Sequence, residues 1–144
     1  MKSGAPHTSA VLARHADKLF TRIRAVIKDR FADPDFGPSE VAAETGISLR
    51  YLQKLFTERG STCTEFVSSL RLDHAARLLH RRALLNTSQP LSEIAYTCGF
   101  SDYTHFARKF RRRFGHPPGA HRRPGRDRTA ESASLAYDVY PPVR

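Results

Sequence analysis

The chain has 144 residues, and its 24 lysines and arginines outnumber 14 acidic residues to give a formal net charge of +10. This length suits one compact domain or two very small ones, and the positive charge predicts an anionic partner, because phosphate neutralisation drives the binding of basic proteins to nucleic acids. Charge alone does not separate a DNA-binding protein from an RNA-binding protein, a membrane-surface protein or a merely basic soluble protein. The sequence has no apolar run near the roughly 18 residues of a membrane span, and no secretion signal follows Met1.

Cys63 and Cys98 are isolated cysteines, with neither a CxxC pair nor a cluster of metal ligands around them. They argue against a disulfide framework and fit a reducing cytoplasm. An enzyme with a cysteine nucleophile activated by a histidine is an alternative function. Cys98, however, precedes a turn glycine at the packed end of a helix, where a cysteine is ordinarily a small buried core residue. We therefore expect no enzyme, no catalytic residue, no metal and no cofactor.

The first third of the chain predicts three helices. We expect residues 1–8 to be disordered and a long amphipathic helix to follow from about 9 to 31, because apolar residues recur at spacings of three and four. Pro38 suits the first position of a second helix, at about 38–45, and Gly46 provides its positive-φ exit. Ser48 is a suitable N-cap for a third helix, at about 49–59. The predicted buried stripe of the first helix is Leu12, Ala16, Leu19, Phe20, Ile23, Val26, Ile27 and Phe31.

The rest of the chain predicts three more helices. A helix at about 64–82 carries apolar residues at helical spacing and is followed by a polar loop at 86–90. Helices at about 91–98 and 102–113 follow, with Gly99 between them and Ser101 and Asp102 as capping residues. We expect a short helix near 120–123 and a flexible tail over 124–144. No strand pattern is present, so the predicted fold class is all-α.

The second and third helices are repeated in the fifth and sixth. Residues 38–60 correspond to 91–115: Ser39-Glu40-Val41-Ala42 matches Ser92-Glu93-Ile94-Ala95, and Thr45-Gly46-Ile47-Ser48 matches Cys98-Gly99-Phe100-Ser101. Composition bias does not preserve glycine, apolar and capping positions together, so this is an internal repeat. Each copy has the pattern of a helix-turn-helix, and two such units on one chain can address two segments of one DNA duplex.

The second helix of each unit, predicted at about 49–59 and about 102–113, is called its inner helix below. The inner helix of the first unit has two opposite faces. Leu52, Leu55 and Phe56 take the core side, and the opposite side, the first outer face, consists of Arg50, Gln53, Lys54 and Thr57. Glutamine, arginine and lysine make paired hydrogen bonds to the edges of adenine and guanine. Any amphipathic helix also has a solvated polar face, but the position of the first outer face within a duplicated helix-turn-helix favours base reading.

The inner helix of the second unit buries Phe106, Phe110 and Phe114. Its second outer face consists of Thr104, His105, Ala107 and Arg108. Alanine can pack on a thymine methyl group, whereas His105 is either a base contact or a neutral surface histidine.

A basic run follows this face. Lys109, Arg111 and Arg112, with Arg113, are candidates for contacts with DNA phosphates, because arginine forks onto phosphate oxygens without reading sequence. The later arginines Arg122, Arg123, Arg126 and Arg128 are candidates either for such contacts or for non-specific attraction.

The chain resembles the DNA-binding domain of the AraC (arabinose-regulator) family of bacterial transcription factors, and its first unit, from Val41-Ala42 through Phe56 and Gly60, fits the pattern as well. The resemblance is carried by residues 94–102 (IAYTCGFSD) and 106–115 (FARKFRRRFG), by Pro117-Pro118 and by Arg122-Arg123, and it covers roughly 22–123. It implies two homeodomain-like helix-turn-helix subdomains joined by one linking helix: 9–63, the linking helix 64–82, and 83–123. It also implies base reading by the two outer faces.

Family members usually carry an additional effector-binding or dimerisation domain, which would lie outside this chain. The chain therefore resembles either the small single-domain activators of the family or a fragment of a longer regulator. The resemblance implies a sequence-specific transcription regulator, most simply an activator that recruits RNA polymerase to DNA in the nucleoid. The alternative is a non-specific basic architectural or RNA-binding protein.

Overall fold

The computed structural model describes residues 4–121, which fold into six α-helices and a short 3₁₀ helix without any strand in that range, so the predicted all-α class is confirmed. The helices are α1 (Gly4–Arg30), α2 (Pro38–Thr45), α3 (Leu49–Thr57), α4 (Cys63–Leu85), α5 (Leu91–Thr97) and α6 (Tyr103–Phe114), and the 3₁₀ helix is Pro118–Ala120. The predicted tail at 124–144 lies outside the described residues.

Helix α1 begins at Gly4, five residues before the predicted start of the long helix, and residues 1–3 of the segment predicted to be disordered lie outside the described residues. Pro6 is compatible with this start, because amide groups in the first turn of a helix have no partner within the helix. The predicted buried stripe is wrong at its first position, since Leu12 is 63% exposed, whereas Phe20, Ile23 and Ile27 are almost fully buried. The first turns of α1 therefore extend beyond the core.

Helices α2 and α3 form the first helix-turn-helix, with the predicted local chemistry. Pro38 is the first residue of α2, and Gly46 ends it in the left-handed conformation at φ 70°. The Ser48 hydroxyl accepts a hydrogen bond from the amide of Tyr51 at 3.0 Å and so caps α3. Helix α3 ends at Thr57, two residues before the predicted end.

Helix α4 is longer than the predicted range of 64–82. It starts at Cys63, because the Thr62 hydroxyl caps it by accepting from the amide of Glu65 at 3.0 Å. It continues to Leu85 and ends where Asn86 adopts the left-handed conformation. At about 1.5 Å per residue its length is about 34 Å, instead of the 28 Å or so expected for the shorter helix.

Helix α4 belongs to two cores. Its first half contributes Cys63, Phe66 and Val67 to a core built with α1, α2 and α3. Its second half contributes Leu72, Ala75 and Leu79 to a core built with α5 and α6. The linking helix therefore does not cross a gap between two separate bodies, because each half of it is part of one of them.

The second unit repeats the first. Helix α5 spans Leu91–Thr97, one residue short of the predicted end, and Gly99 makes the turn at φ 101°. Helix α6 ends at Phe114, and Gly115 leaves it in the left-handed conformation. A 3₁₀ helix occupies Pro118–Ala120, where Pro118 fits its first position. Residues 122 and 123 of the short helix predicted at 120–123 lie outside the described residues.

Candidate nucleic-acid interface

The first outer face is presented by α3, which the core holds on its opposite side. Leu52, Leu55 and Phe56 are at most 1% exposed, and they pack with residues of α1, α2 and α4. Ring contacts fix Phe56, whose centroid lies 4.9 Å from that of Phe20 and 6.0 Å from that of Phe66. A helix anchored so tightly has little freedom to rotate, so its outward residues are set in fixed directions.

All four predicted residues of the first outer face are exposed: Arg50, Gln53, Lys54 and Thr57. Tyr51, which was not among the predicted residues, is 39% exposed on the same helix. The alternation of buried and exposed residues agrees with the predicted helix phase. That these side chains contact bases stays a prediction.

Helix α6 is anchored in the same way. The carboxylate of Asp102 accepts a hydrogen bond from the amide of Thr104 at 2.9 Å, so the predicted capping role is confirmed for Asp102 and does not fall to Ser101. Phe106, Phe110 and Phe114 are at most 2% exposed, and their rings form a continuous row with centroid separations of 5.7 and 4.5 Å.

The second outer face is largely accessible. Thr104, His105 and Arg108 are exposed, and Ala107 is half-buried. The ring of His105 lies edge-on to Phe100 at 6.2 Å, so this histidine is partly held by the core of its own unit. Base contacts by these four residues likewise stay a prediction.

The basic run of α6 divides into three environments. Arg111 and Arg112 are exposed, as phosphate contacts require, whereas Lys109 is half-buried beside α4. The expectation for Arg113 is wrong, because its side chain is 6% exposed and pairs with the buried Asp73 of α4 at 2.5 Å. Arg113 lies seven residues after Phe106 and therefore points to the core side, so it stabilises the fold and is not available to phosphates. The later arginines lie outside the described residues.

A cleft of about 310 Å³ lies between the two units. Phe36 and Pro38 of the first unit, Ser68 of α4, and His105 and Lys109 of α6 are among the residues that line it. The cleft brings together residues that are about 30 to 70 positions apart, so no local sequence pattern could have revealed it.

Both cysteines are buried, and burial raises the pKa of each thiol from 9.0 to about 12. A thiol with such a pKa is protonated at neutral pH and is a poor nucleophile and metal ligand. No group of three or more potential metal ligands occurs within residues 4–121.

None of the helices between residues 4 and 121 is long and apolar enough to cross a membrane.

A sequence profile of the helix-turn-helix domain family matches residues 41–124, which is more than half of the chain. The transcriptional activator NphR of Rhodococcus sp is 37% identical over 109 residues, which cover 76% of this chain and 31% of NphR. The transcriptional activator RhaS of Escherichia coli is 38% identical over 95 residues, covering 65% of this chain and 32% of RhaS. The chain thus spans about a third of the length of these relatives.

The fold of this chain is similar to those of two solved structures. The C-terminal domain of AraT, a response regulator from Geobacillus stearothermophilus, aligns with a TM-score of 0.63 and 26% sequence identity over 72% of this chain and 82% of that chain. A Listeria innocua protein of unknown function aligns with a TM-score of 0.62 at 24% identity over 71% of this chain and 92% of that chain, a likeness of fold alone.

Proposed function

The chain belongs to the AraC family of helix-turn-helix transcription regulators, and we propose that it reads two adjacent major-groove segments of one DNA duplex through α3 and α6. The observation that carries the proposal is that α3 and α6 are each anchored in a hydrophobic core by their apolar side and turn a largely exposed outer face of different composition away from it. Paired hydrogen-bond donors at fixed positions are what reading base edges in the major groove requires.

The two outer faces have different roles in this proposal. Arg50, Gln53 and Lys54 offer bidentate contacts to guanine and adenine, whereas Ala107 and Arg108 offer a methyl contact and a guanine contact. Because the faces differ, the two DNA boxes differ as well, and the site is asymmetric. With one helical turn of roughly 34–36 Å between successive major-groove faces, we expect boxes about 10 bp apart in a site of about 15–20 bp.

Arg111 and Arg112, with Lys109 at the edge of the cleft, supply the phosphate contacts. Such contacts position the protein on the duplex without reading sequence. The net charge of +10 adds a long-range attraction to DNA that weakens with salt.

Transcription activation is the outcome that we propose for this binding, because the relatives NphR and RhaS are named transcriptional activators. RNA polymerase is then the protein partner, and the chain acts on the nucleoid in the cytoplasm. Any effector-binding domain of the regulator would be separate from the helices described above.

The test begins with selection of preferred sites from a random duplex pool, followed by titration of the selected duplex and a scrambled duplex at matched salt. We expect the selected duplex to bind at least about 10³-fold more tightly. Equal affinity for both duplexes would contradict the proposal and support a non-specific basic nucleic-acid-binding protein.

A second titration addresses the use of both units. We expect that inserting about 5 bp between the two selected boxes rotates one box to the far side of the duplex and removes one set of contacts. Undiminished affinity after this insertion would mean that only one unit reads DNA.

A further inference from the structure

Arg71, in the middle of α4, binds the backbone of the first unit at three points. Its Nε donates a hydrogen bond to the carbonyl oxygen of Phe31 at 2.7 Å. Its Nη2 donates to the carbonyl oxygens of Asp33 at 2.9 Å and Phe36 at 3.0 Å. These carbonyls belong to the segment between α1 and α2. A planar guanidinium with several charge-assisted hydrogen bonds fixes direction as well as distance.

The turn of the second unit contacts the same place. A Cβ atom added to Gly99 would lie 2.7 Å from the Nε of Arg71 and 2.7 Å from the carbonyl oxygen of Phe31. Real Cβ atoms do not approach other atoms so closely, so only glycine allows the turn between α5 and α6 to pack here. Gly99 also has a φ of 101°, which side-chain-bearing residues rarely adopt.

Three segments therefore meet at Arg71: the α1–α2 segment of the first unit, the shared helix α4, and the α5–α6 turn of the second unit. Further along α4, the ring of Phe31 lies edge-on to that of His74 at 5.8 Å. Phe36 and Phe100, one from each unit, line the cleft beside this junction. A bend or twist of α4 at its middle would have to separate these contacts.

We propose that the contact of Arg71 and Gly99 with the α1–α2 segment is a clamp that fixes the two helix-turn-helix units relative to each other. Resting on the proposed function, the clamp sets the spacing between the DNA boxes that α3 and α6 read. Arg71 is thus a positioning residue: three of its N–H groups are engaged by carbonyl oxygens, and it acts on DNA only through the placement of α6.

A merely local role would be to hold the turn that follows α1, since Arg71 binds carbonyls in the segment between α1 and α2. Loss of Arg71 would then destabilise the first unit without changing the orientation of the second. The two roles differ in what they predict for the relative orientation of the units in a folded protein, which is a quantity that can be measured without DNA.

The first experiment measures amide residual dipolar couplings of the 144-residue chain, for the wild type, Arg71→Ala and Arg71→Lys. Arg81→Ala is the matched control, because Arg81 is an exposed arginine on the same helix. We expect the couplings of both units to fit one alignment tensor in the wild type and in the control. In the two Arg71 variants the units should require different tensors. Arg71→Lys keeps the charge but not the planar fork, so it reports on the clamp even if the alanine variant fails to fold.

A single shared tensor with unchanged relative orientation in folded Arg71→Lys or Arg71→Ala would overturn the clamp. This outcome is independent of DNA, so it leaves the proposed function standing.

The second experiment measures affinity for duplexes in which the box spacing is changed by 1 or 2 bp, and for a duplex with a single box. We expect the wild type to prefer the native spacing about tenfold over a 2 bp change, and the Arg71 variants to prefer it only about twofold, because a mobile unit can adjust. Single-box affinity should change little. An unaltered spacing preference in the variants would overturn the clamp, whereas a wild type indifferent to the second box would instead contradict the proposed two-box function.

Discussion

Phe110→Ala should remove more stability than any other single truncation on α6. The Phe110 side chain is fully buried, and four rings surround it: Phe106 at 5.7 Å, Phe114 at 4.5 Å, His116 at 5.9 Å and His121 at 5.4 Å. Phe106 and Phe114 lie on α6 itself, whereas His116 and His121 lie in the segment after it. The helical backbone limits how far the two phenylalanines can move into the space that the benzyl group leaves.

Truncation of a buried phenylalanine to alanine costs about 3–5 kcal/mol, and the limited collapse predicts a value in the upper part of that range. This is a large share of the roughly 5–15 kcal/mol that stabilises a small domain. At about 3–4 °C per kcal/mol, which follows from an unfolding entropy of about 2.1 cal/mol/K per residue for a chain of this size, even the lower limit of the cost should reduce Tm by roughly 9–12 °C.

The measurement is thermal and urea unfolding of the wild type and the variant, with circular dichroism as the signal. Arg111→Ala is the control, because Arg111 neighbours Phe110 on the same helix but is exposed. Its Tm should stay within about 2 °C, as expected for a surface substitution worth less than about 0.5 kcal/mol. Comparable losses in the two variants would refute the assigned phase of α6.

Three further predictions follow from the same geometry. Arg108→Ala should cost about 1–3 kcal/mol on the preferred site and relax specificity at one base pair, whereas Arg112→Ala should weaken all sequences equally and lower the salt slope by about one; indistinguishable selection profiles of the two variants would show that the faces are misassigned. Asp73→Ala should destabilise the fold by about 3–5 kcal/mol in urea unfolding, because it leaves a buried guanidinium without its carboxylate; a loss below about 1 kcal/mol would contradict this. Burial raises the pKa of both thiols from 9.0 to about 12, so unfolding above about pH 9 releases their protons and the free energy of unfolding should fall as the pH rises from about 9 to about 12. The fall should be smaller in a Cys63→Ala/Cys98→Ala variant, and parallel pH profiles of the two proteins would exclude the effect.

The helix-turn-helix units could be predicted from sequence because their boundaries depend on local chemistry. Gly46 ends α2 by a positive φ, and Ser48 and Asp102 cap α3 and α6 through amides two or three residues away. Such signals act within one turn of helix, so they can be recognised without any knowledge of the fold.

The start of α1 and the end of α4 were less predictable, because no strong capping or stop signal marks them. Residues 83–85 (ALL) are strong helix formers, and α4 continues through them until Asn86 accepts the left-handed conformation. The exposure of Leu12 could not be predicted either, because helical spacing identifies an apolar stripe but not how far the partner helices extend along it.

In the candidate interface, too, features set by local sequence could be predicted, whereas contacts between distant segments could not. The phase of α3 and α6 followed from the positions of apolar residues, and it separated exposed from buried side chains throughout α3 but not for Arg113 of α6. The burial of Arg113 was detectable in principle, since Arg113 follows Phe110 by three residues on the core stripe, but its partner Asp73 is 40 residues away. The contacts of Arg71 join segments 35–40 residues apart and had no local signal at all.

The first half of α4 packs into one core and its second half packs into the other, so the number of residues between the two halves fixes how the cores are oriented along the helix. One residue inserted between Val67 and Leu72 would turn everything beyond it by about 100° and move it by about 1.5 Å. The second unit would then either lose its contact with the α1–α2 segment or present α6 to a different side of the duplex. A substitution in this stretch, even one that removes the Arg71 contacts, leaves the helical register beyond it unchanged, whereas an insertion or deletion changes the direction in which half of the protein faces. We therefore expect insertions and deletions in the middle of α4 to be more damaging than substitutions.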